Sequence, residues 1–526
     1  MHAKIMAAGP EVSLAEAQMQ FRARMDTGAA RRVWETFSGR IAVVLPGGGA
    51  RGAYQAGALL AFQDAGLPTH IITATSIGSV NAAAYVARAK GLVGNAEAIV
   101  DSWLRLTAPE VGLDWTRYLS MFLGVVIASI GFANLMLELF AVQGFRLHPH
   151  EALQTWFVVA IGGAVLALLS EQPSYLAYVM RGLRQPGLGR PDWRRTMLAL
   201  FGSLAIVASA ILAVRTLHLH GRFREFFRDN LVATLAFGSV AVALMVHRWR
   251  YPAGWSRFAQ RILRLPRRAA LFSDIRRERL FRRHISPDAV RASAIHVLFA
   301  AADLGAGTSR FFCNHPPDRL AAERDVDPDF VAREVMLADD PIQAVMASSA
   351  LPIAFAPVRI AGRAYSDGAI SARRPLRPAI RLGATVLFVV LTQRTTAEAA
   401  TPGTFLEIGA RALDLLMAQN LAADLSQLNE INATCERIAG RFGHAPEQVH
   451  YELGPHRYRY VKTFSIGPAA SLDTGLLSFR AARAGSALLL GYQDAAVQIS
   501  SFLDYARHAQ FGEVKHVWRL QAQPSA

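Results

Sequence analysis

Four apolar stretches crowd the middle of this chain, at residues 121–140, 152–169, 196–214 and 231–249. Each is dense in Leu, Val, Ile, Ala and Gly, without the alternation of a half-buried strand. Each approaches the roughly 17–25 apolar residues a helix needs to cross a bilayer. One such run reads equally as a core helix of a soluble domain. Four in close succession, separated by arginine-bearing loops, predict a membrane bundle of four helices. Glu138 is the one acid inside a segment, and it lies near an end, within reach of headgroups. Composition agrees: 52% of residues are hydrophobic and 18% charged, against about 25% charged in an ordinary soluble domain.

The loops set an orientation. Arg181, Arg184, Arg190, Arg194 and Arg195 lie between the second and third segments, and Arg250, Arg257, Arg261, Arg264, Arg267 and Arg268 follow the fourth. The first loop has only Arg146, and the third mixes Arg215, Arg222, Arg224 and Arg228 with Glu225 and Asp229. The positive-inside rule puts the second loop and both flanks in the cytoplasm. An even number of spans returns the chain to the side it left, so the two flanks can form one domain. The net charge of +16 implies an anionic partner. Nucleic acid is excluded as that partner, because the arginines cluster beside the spans and no nucleic-acid module accompanies them. The mixed stretch 257–283 reads either as a surface for anionic inner-leaflet lipid or as a solvated basic face.

The flanks carry the chemistry. Residues 41–45 form a short buried strand by composition, followed by Pro46-Gly47-Gly48-Gly49-Ala50-Arg51-Gly52 and a helical run over 53–62. A strand, glycine loop and helix make an anion trap, since backbone N–H groups point inward at a positive helix end. The same glycines match a dinucleotide fingerprint, but no acid ends the next strand to hold a ribose, so that cofactor is excluded. That strand runs 70–75, ends on Ser76, and leads into a helix over 77–88. Ser76 sits where a nucleophile elbow requires its serine, flanked by small residues, Ala74 and Gly78. A serine there is also a favoured helix cap.

Past the apolar segments come another buried strand at 295–301, the run Ala347-Ser348-Ser349-Ala350-Leu351-Pro352, and Asp367-Gly368-Ala369. His70 and His296 stand at predicted strand starts and read as strand-end residues, not members of a Ser-His-Asp triad. Cys313 and Cys435 are far apart, and no CxxC, Cys/His cluster or HExxH occurs. Disulfides and metal are therefore not expected. Residues 1–32 lack the apolar core of a secretory signal and are expected to form a short amphipathic cover.

A GGGARG loop, a serine elbow, an ASSALP segment and a later Asp-Gly-Ala, in that order, resemble the patatin-like phospholipase family. The resemblance covers about residues 41–90 and 271–391 and continues in outline through VKTFSIGP, GLLSF and GYQDA. The four-segment insert lies outside the usual family domain, and Ala74 stands where the family's Gly-x-Ser-x-Gly has glycine. The resemblance implies a Ser–Asp dyad without histidine: Ser76 as nucleophile and Asp367 as general base. It also implies oxyanion donors at Gly47, Gly48 and Gly49, with Arg51 and Gly52 completing the loop. Ala74, Gly78, Gly368 and Ala369 would support the elbow and the Asp-Gly-Ala turn. No cofactor is implied.

The expected fold is a three-layer α/β/α patatin-like domain interrupted by a four-helix transmembrane insert. Its parts would be an N-terminal helical segment (1–36), a first catalytic half (37–115), the insert (116–250), a second half (251–395) and a mostly helical C-terminal extension (396–526). The expected function is hydrolysis of (lyso)phospholipid acyl esters at a membrane. Acyl transfer to an alcohol and a non-catalytic membrane scaffold are the alternatives. Arginine- and alanine-rich, lysine-poor composition and the loop charges suggest a bacterial inner membrane, with the catalytic domain cytoplasmic.

Overall fold

Continuous apolar runs mark strands covered on both faces. Ile41–Leu45, Ile71–Thr75 and Val386–Val390 are such runs, buried along their whole length. The computed structural model describes residues 13–25, 27–107, 110–111, 274–352, 354–371, 375–393, 405–454, 456–469, 472, 479–509 and 517–520, and a few positions between 123 and 162. In chain order the principal elements are α1 (Leu14–Arg24), α2 (Thr27–Thr36), β1 (Ile41–Leu45), α3 (Gly52–Asp64), β2 (Ile71–Thr75), α4 (Ile77–Val86), α5 (Glu97–Arg105), α6 (Asp274–His284), β3 (His296–Asp303), β4 (Thr308–Cys313), β5 (Val335–Leu337), α7 (Pro341–Ser348), β6 (Val358–Ile360), β7 (Arg363–Asp367), β8 (Val386–Val390), α8 (Phe405–Phe442), β9 (His450–Leu453), β10 (His456–Arg459), β11 (Lys462–Ile466), α9 (Ala481–Ala506) and β12 (Val517–Leu520).

The main sheet runs β11-β8-β1-β2-β3-β4-β5. It is parallel from β11 to β3, and β4 turns antiparallel. Helices cover both faces. Ala42, Val44, Leu387 and Val389 join one core cluster with Leu421 and Leu428 of α8. The alternate residue Phe388 meets Phe62 of α3, Phe464 of β11 and Phe502 of α9, at ring-centroid distances of 5.2, 5.3 and 5.4 Å. Burying each such ring contributes about 1.5–3 kcal/mol.

One edge of β3 is shared end to end by two strands. β2 pairs with it in parallel up to Thr75 opposite Ala300. β7 then takes over, antiparallel, with Asp367 opposite Ala301. β4 holds the other edge over the same residues. The ends of β2 and β7 therefore meet.

By its contacts the chain divides into two units, Met1–Leu113 with Ala270–Ala526, and Asp114–Ala269. All the elements named above belong to the first. Among the described residues no helix is long and apolar enough to cross a membrane. The four apolar segments expected to span one lie almost wholly outside the described residues. Within the second unit, a Cβ added at Gly131 would stand 2.4 Å from the Ala160 nitrogen, so the first two segments touch there backbone to backbone.

The expected C-terminal extension from residue 396 is built differently. β11 pairs with β8 inside the main sheet, and α9 lies along α3. A Cβ at Gly57 would fall 1.9 Å from Leu488 O, and one at Gly491 1.9 Å from Tyr54 O, so α3 and α9 cross through paired glycines. The Tyr54 hydroxyl donates to Asp494 at 2.6 Å, and Tyr492 to Asp64 at 2.9 Å. Among the described residues, β9, β10 and β12 form a separate small sheet. At the other terminus the chain forms two helices, α1 and α2: Phe21 packs on Tyr492, and Trp34 stacks on Phe502.

Candidate active site

Ser76 ends β2 and starts α4 with φ 55° and ψ −126°. A non-glycine residue held there is strained, a feature that clusters at functional sites. Gly78 sits against the end of the neighbouring strand β1: a Cβ on it would lie 2.2 Å from Leu45 O. Ala74 is buried between Leu45 and Phe299 in the sheet register and is not among the positive-φ residues, so its methyl is accommodated. The serine hydroxyl caps no helical N–H. It donates to Asp367 Oδ2 at 2.5 Å.

Asp367 is wholly buried at the end of β7. Its Oδ1 accepts the Ala369 N–H at 2.9 Å. Gly368 lets the turn follow β3 closely, since a Cβ there would lie 2.3 Å from Ala300 O. Burial pushes the carboxyl up to about 6, opposed by the Ser76 hydrogen bond, the Ala369 N–H and the Arg277 charge.

The glycine loop stands beside Ser76, and Gly48 and Gly49 share a cavity with Ser76 and Asp367. Gly49 has φ 56°, and a Cβ on Gly48 would lie 2.4 Å from Thr392 Oγ1. Thr392 in turn donates to Gly47 O at 2.8 Å. Gly47, Arg51 and Gly52 are not among the cavity-lining residues. Gly52 abuts Ile77, where a Cβ would meet the side chain at 2.6 Å. The Arg51 guanidinium donates to Gln393 and Asp414, both at 2.8 Å, so this residue ties the loop to β8's end and to α8. A buried polar network completes the support: Gln55 donates to Pro46 O at 2.7 Å, Asn81 to Gly52 O at 2.8 Å, and Trp103 to Asn81 at 3.0 Å.

The cavity encloses, with its open mouth, about 1150 Å³, and its walls are apolar: Ile77, Val80, Ala84, Ile99, Trp103, Leu280, Phe281 and Phe355. No histidine is bonded to the pair among the described residues. His70 accepts the Ile41 N–H, and His296 bonds His315 and Glu323, both at 2.9 Å, at the opposite end of β3 from Asp367's partner. His284 lines the cavity and bonds Ser102 instead. Cys313 and Cys435 are free and buried. No metal-binding cluster occurs among the described residues.

Sequence reasoning assigned no role to Ser348, Thr392, Asp414 or Asn81, and it placed Arg277 in a basic stretch facing lipid or solvent, whereas its side chain is 2% exposed. Ser348 Oγ accepts the Ser76 N–H at 3.2 Å and shares a 2.7 Å bond with Ser79. The legible signal for Asn81 was a polar side chain in an alanine-rich helix, and for Ser348 its place in ASSALP. The others gave none.

The sequence matches the patatin-like phospholipase family over residues 43–176 and 205–380, more than half of the chain. No curated protein sequence matches it. Among solved structures, VipD from Legionella pneumophila is similar at 12% identity, covering 88% of this chain and 67% of that one with a TM-score of 0.28, too distant a likeness to add to the assignment. By the family match, the chain belongs to the patatin-like phospholipases, a family of lipid acyl hydrolases, and is an enzyme of the carboxylic-ester hydrolase kind.

Proposed function

We propose that the protein is a membrane-anchored hydrolase of (lyso)phospholipid acyl esters working through a Ser76–Asp367 dyad. The observation that carries this reading is the 2.5 Å bond from Ser76 Oγ to a buried carboxylate, both residues lining one apolar cavity. As Ser76 Oγ attacks the acyl carbonyl carbon, Asp367 takes its proton. The carbonyl oxygen becomes an oxyanion that the backbone N–H groups of Gly48 and Gly49, the loop glycines lining the cavity, would stabilise. Collapse breaks the ester C–O bond, and Asp367 returns the proton to the leaving alcohol oxygen. Water then attacks the acyl-serine, its proton going to Asp367 and on to Ser76 Oγ as the fatty acid departs. A carboxyl lifted by burial toward neutral pH suits both halves of that cycle. The apolar walls would take the acyl chain.

The four apolar segments and their arginine-bearing loops support an anchor in a bacterial inner membrane, with the catalytic unit on the cytoplasmic side. The close approach at Gly131 fits packing of membrane helices through small residues. The arginines after the fourth segment would favour anionic inner-leaflet lipids.

The test is fluorophosphonate labelling of detergent-solubilised protein beside Ser76→Ala and Asp367→Asn. Labelling absent in Ser76→Ala and reduced in Asp367→Asn is expected. A well-folded wild type that does not label, in detergent or in bilayers, overturns the reading. Product analysis with and without an added acceptor alcohol separates hydrolysis from transfer, and carbonate extraction of membranes tests the anchor.

A further inference from the structure

Two residues at the C-terminal end of α7, Ser348 and Ala350, bond the backbone of both members of the dyad. Ser348 Oγ accepts the Ser76 N–H. Ala350 O accepts the Asp367 N–H at 2.9 Å and the Ser366 hydroxyl at 2.8 Å. Between them stands Ser349, whose carbonyl is bound by Arg277 Nη1.

Arg277 comes from α6, where the chain re-enters the catalytic unit. Its side chain is 2% exposed and lies 4.0 Å over the Phe355 ring. Nη2 donates to Met346 O at 3.3 Å and to Asp274 Oδ1 at 2.7 Å. Two of the carbonyls left open at the C-terminal end of α7 are thus bound by one cationic fork, where a cation also complements the helix dipole. An apolar side chain would fill this space without the desolvation cost of a buried charge, so stability alone is a poor reason for arginine here. Arg277 is among the residues that line the cavity holding Ser76 and Asp367.

Resting on the Ser76–Asp367 reading, we infer that Arg277 is a positioning residue for the dyad: it holds the 348–350 turn, and that turn sets the Ser76 backbone on one side and Asp367 on the other. The charged groups facing it are Asp274 on its own helix and Asp367 from β7. Its charge also favours the ionised form of Asp367 against the effect of burial.

Arg277→Lys and Arg277→Gln separate the fork from the charge. Each is measured for fluorophosphonate labelling rate, for kcat and KM on a p-nitrophenyl ester, for Tm, and across pH. Lysine keeps the charge but cannot span both carbonyls. It should lower kcat about 10- to 100-fold with KM nearly unchanged, and leave the acid limb of kcat/KM in place. Glutamine loses both, so kcat falls at least as far and the acid limb moves to higher pH, because Asp367 then protonates more readily. Wild-type kcat and labelling in both variants at unchanged Tm would overturn the inference. So would a loss of activity that only tracks the loss of Tm, with the acid limb of the glutamine variant unmoved. Should neither variant accumulate folded, Asp274→Asn replaces them, since it frees the guanidinium on one side. A fall in kcat at constant KM supports the role, and an unchanged kcat refutes it. Wild-type labelling that survives Ser76→Ala sinks the dyad itself, whereas labelling at Ser76 with indifferent Arg277 variants sinks only this inference.

Discussion

Ser76 and Asp367 lie 291 residues apart in sequence, and the Ser76 hydroxyl stands 2.5 Å from the Asp367 carboxylate. They meet because Thr75 pairs with Ala300 and Asp367 with Ala301, the next residue of the same strand. β2 delivers the serine from one direction and β7 the acid from the other. Shifting either strand by one residue would flip its side chains to the other face of the sheet and break the pair.

The acid limb of kcat/KM should fall at about pH 6, where the Asp367 carboxyl titrates. The stability linkage has the opposite sense to that of a salt-bridged carboxylate. With its folded value raised above the ordinary 3.8, the group contributes stability that is fully present at low pH and is lost as pH rises through about 6. Asp367→Asn should therefore show a Tm less dependent on pH between roughly 4 and 7, worth at most a few kcal/mol. Thermal melts of both proteins across that window check it.

Gly78→Ala and Ala74→Gly should behave oppositely, although both positions flank the serine. At Gly78 a methyl meets Leu45 O at 2.2 Å, and backbone must move. Destabilisation of about 1–3 kcal/mol or more and loss of serine labelling are expected. Ala74→Gly removes a methyl that already fits, costing about 0.5–1 kcal/mol with labelling retained. Chemical denaturation and probe labelling of the pair decide.

Ser348→Ala leaves the Ser76 N–H without its acceptor and Ser79 without its partner. A loss of about 1–3 kcal/mol follows from the unsatisfied buried group. Labelling at Ser76 should slow as the strained turn relaxes. Labelling at the wild-type rate would show that the elbow holds its shape without this bond.

Removing Asp414 should reach the site through Arg51. The two side chains are 14% and 7% exposed, so Asp414→Ala leaves a nearly buried guanidinium bonded to Gln393 but without its carboxylate. About 3–5 kcal/mol of stability should be lost. An Arg51→Met, Asp414→Leu double variant should recover much of it. Any remaining fall in kcat would then report the loosened glycine loop.

A chain ending at residue 395 should not fold. It lacks β11, which pairs with β8, and α9, which crosses α3 at Gly57 and Gly491. Within the full chain, Gly491→Ala alone should lower Tm markedly, because a methyl there meets Tyr54 O at 1.9 Å. Solubility and melting of the two variants test whether the C-terminal part belongs to the catalytic unit.

The sequence by itself determined what is local. The β1 and β2 runs read as buried strands because parallel strands covered on both faces carry no polar alternation. The elbow was legible because a sharp strand-to-helix turn demands small neighbours, and Gly78 meets that demand. The Asp-Gly-Ala turn was readable only beside the glycine loop and the serine. What remained hidden depends on partners distant in the chain. Arg51 looked like part of a binding loop, but Asp414 claims it from α8. Residues from 396 onward looked like an appendage because β11 is short and lacks a continuous apolar run, and its place beside β8 is a matter of pairing. Only the tertiary structure decided that β2 and β7 share one edge of β3, and that Arg277, Ser348 and Ala350 frame their meeting point. Strand register and the partners of a buried charge are set by which surfaces pack together, and no stretch of sequence carries that alone.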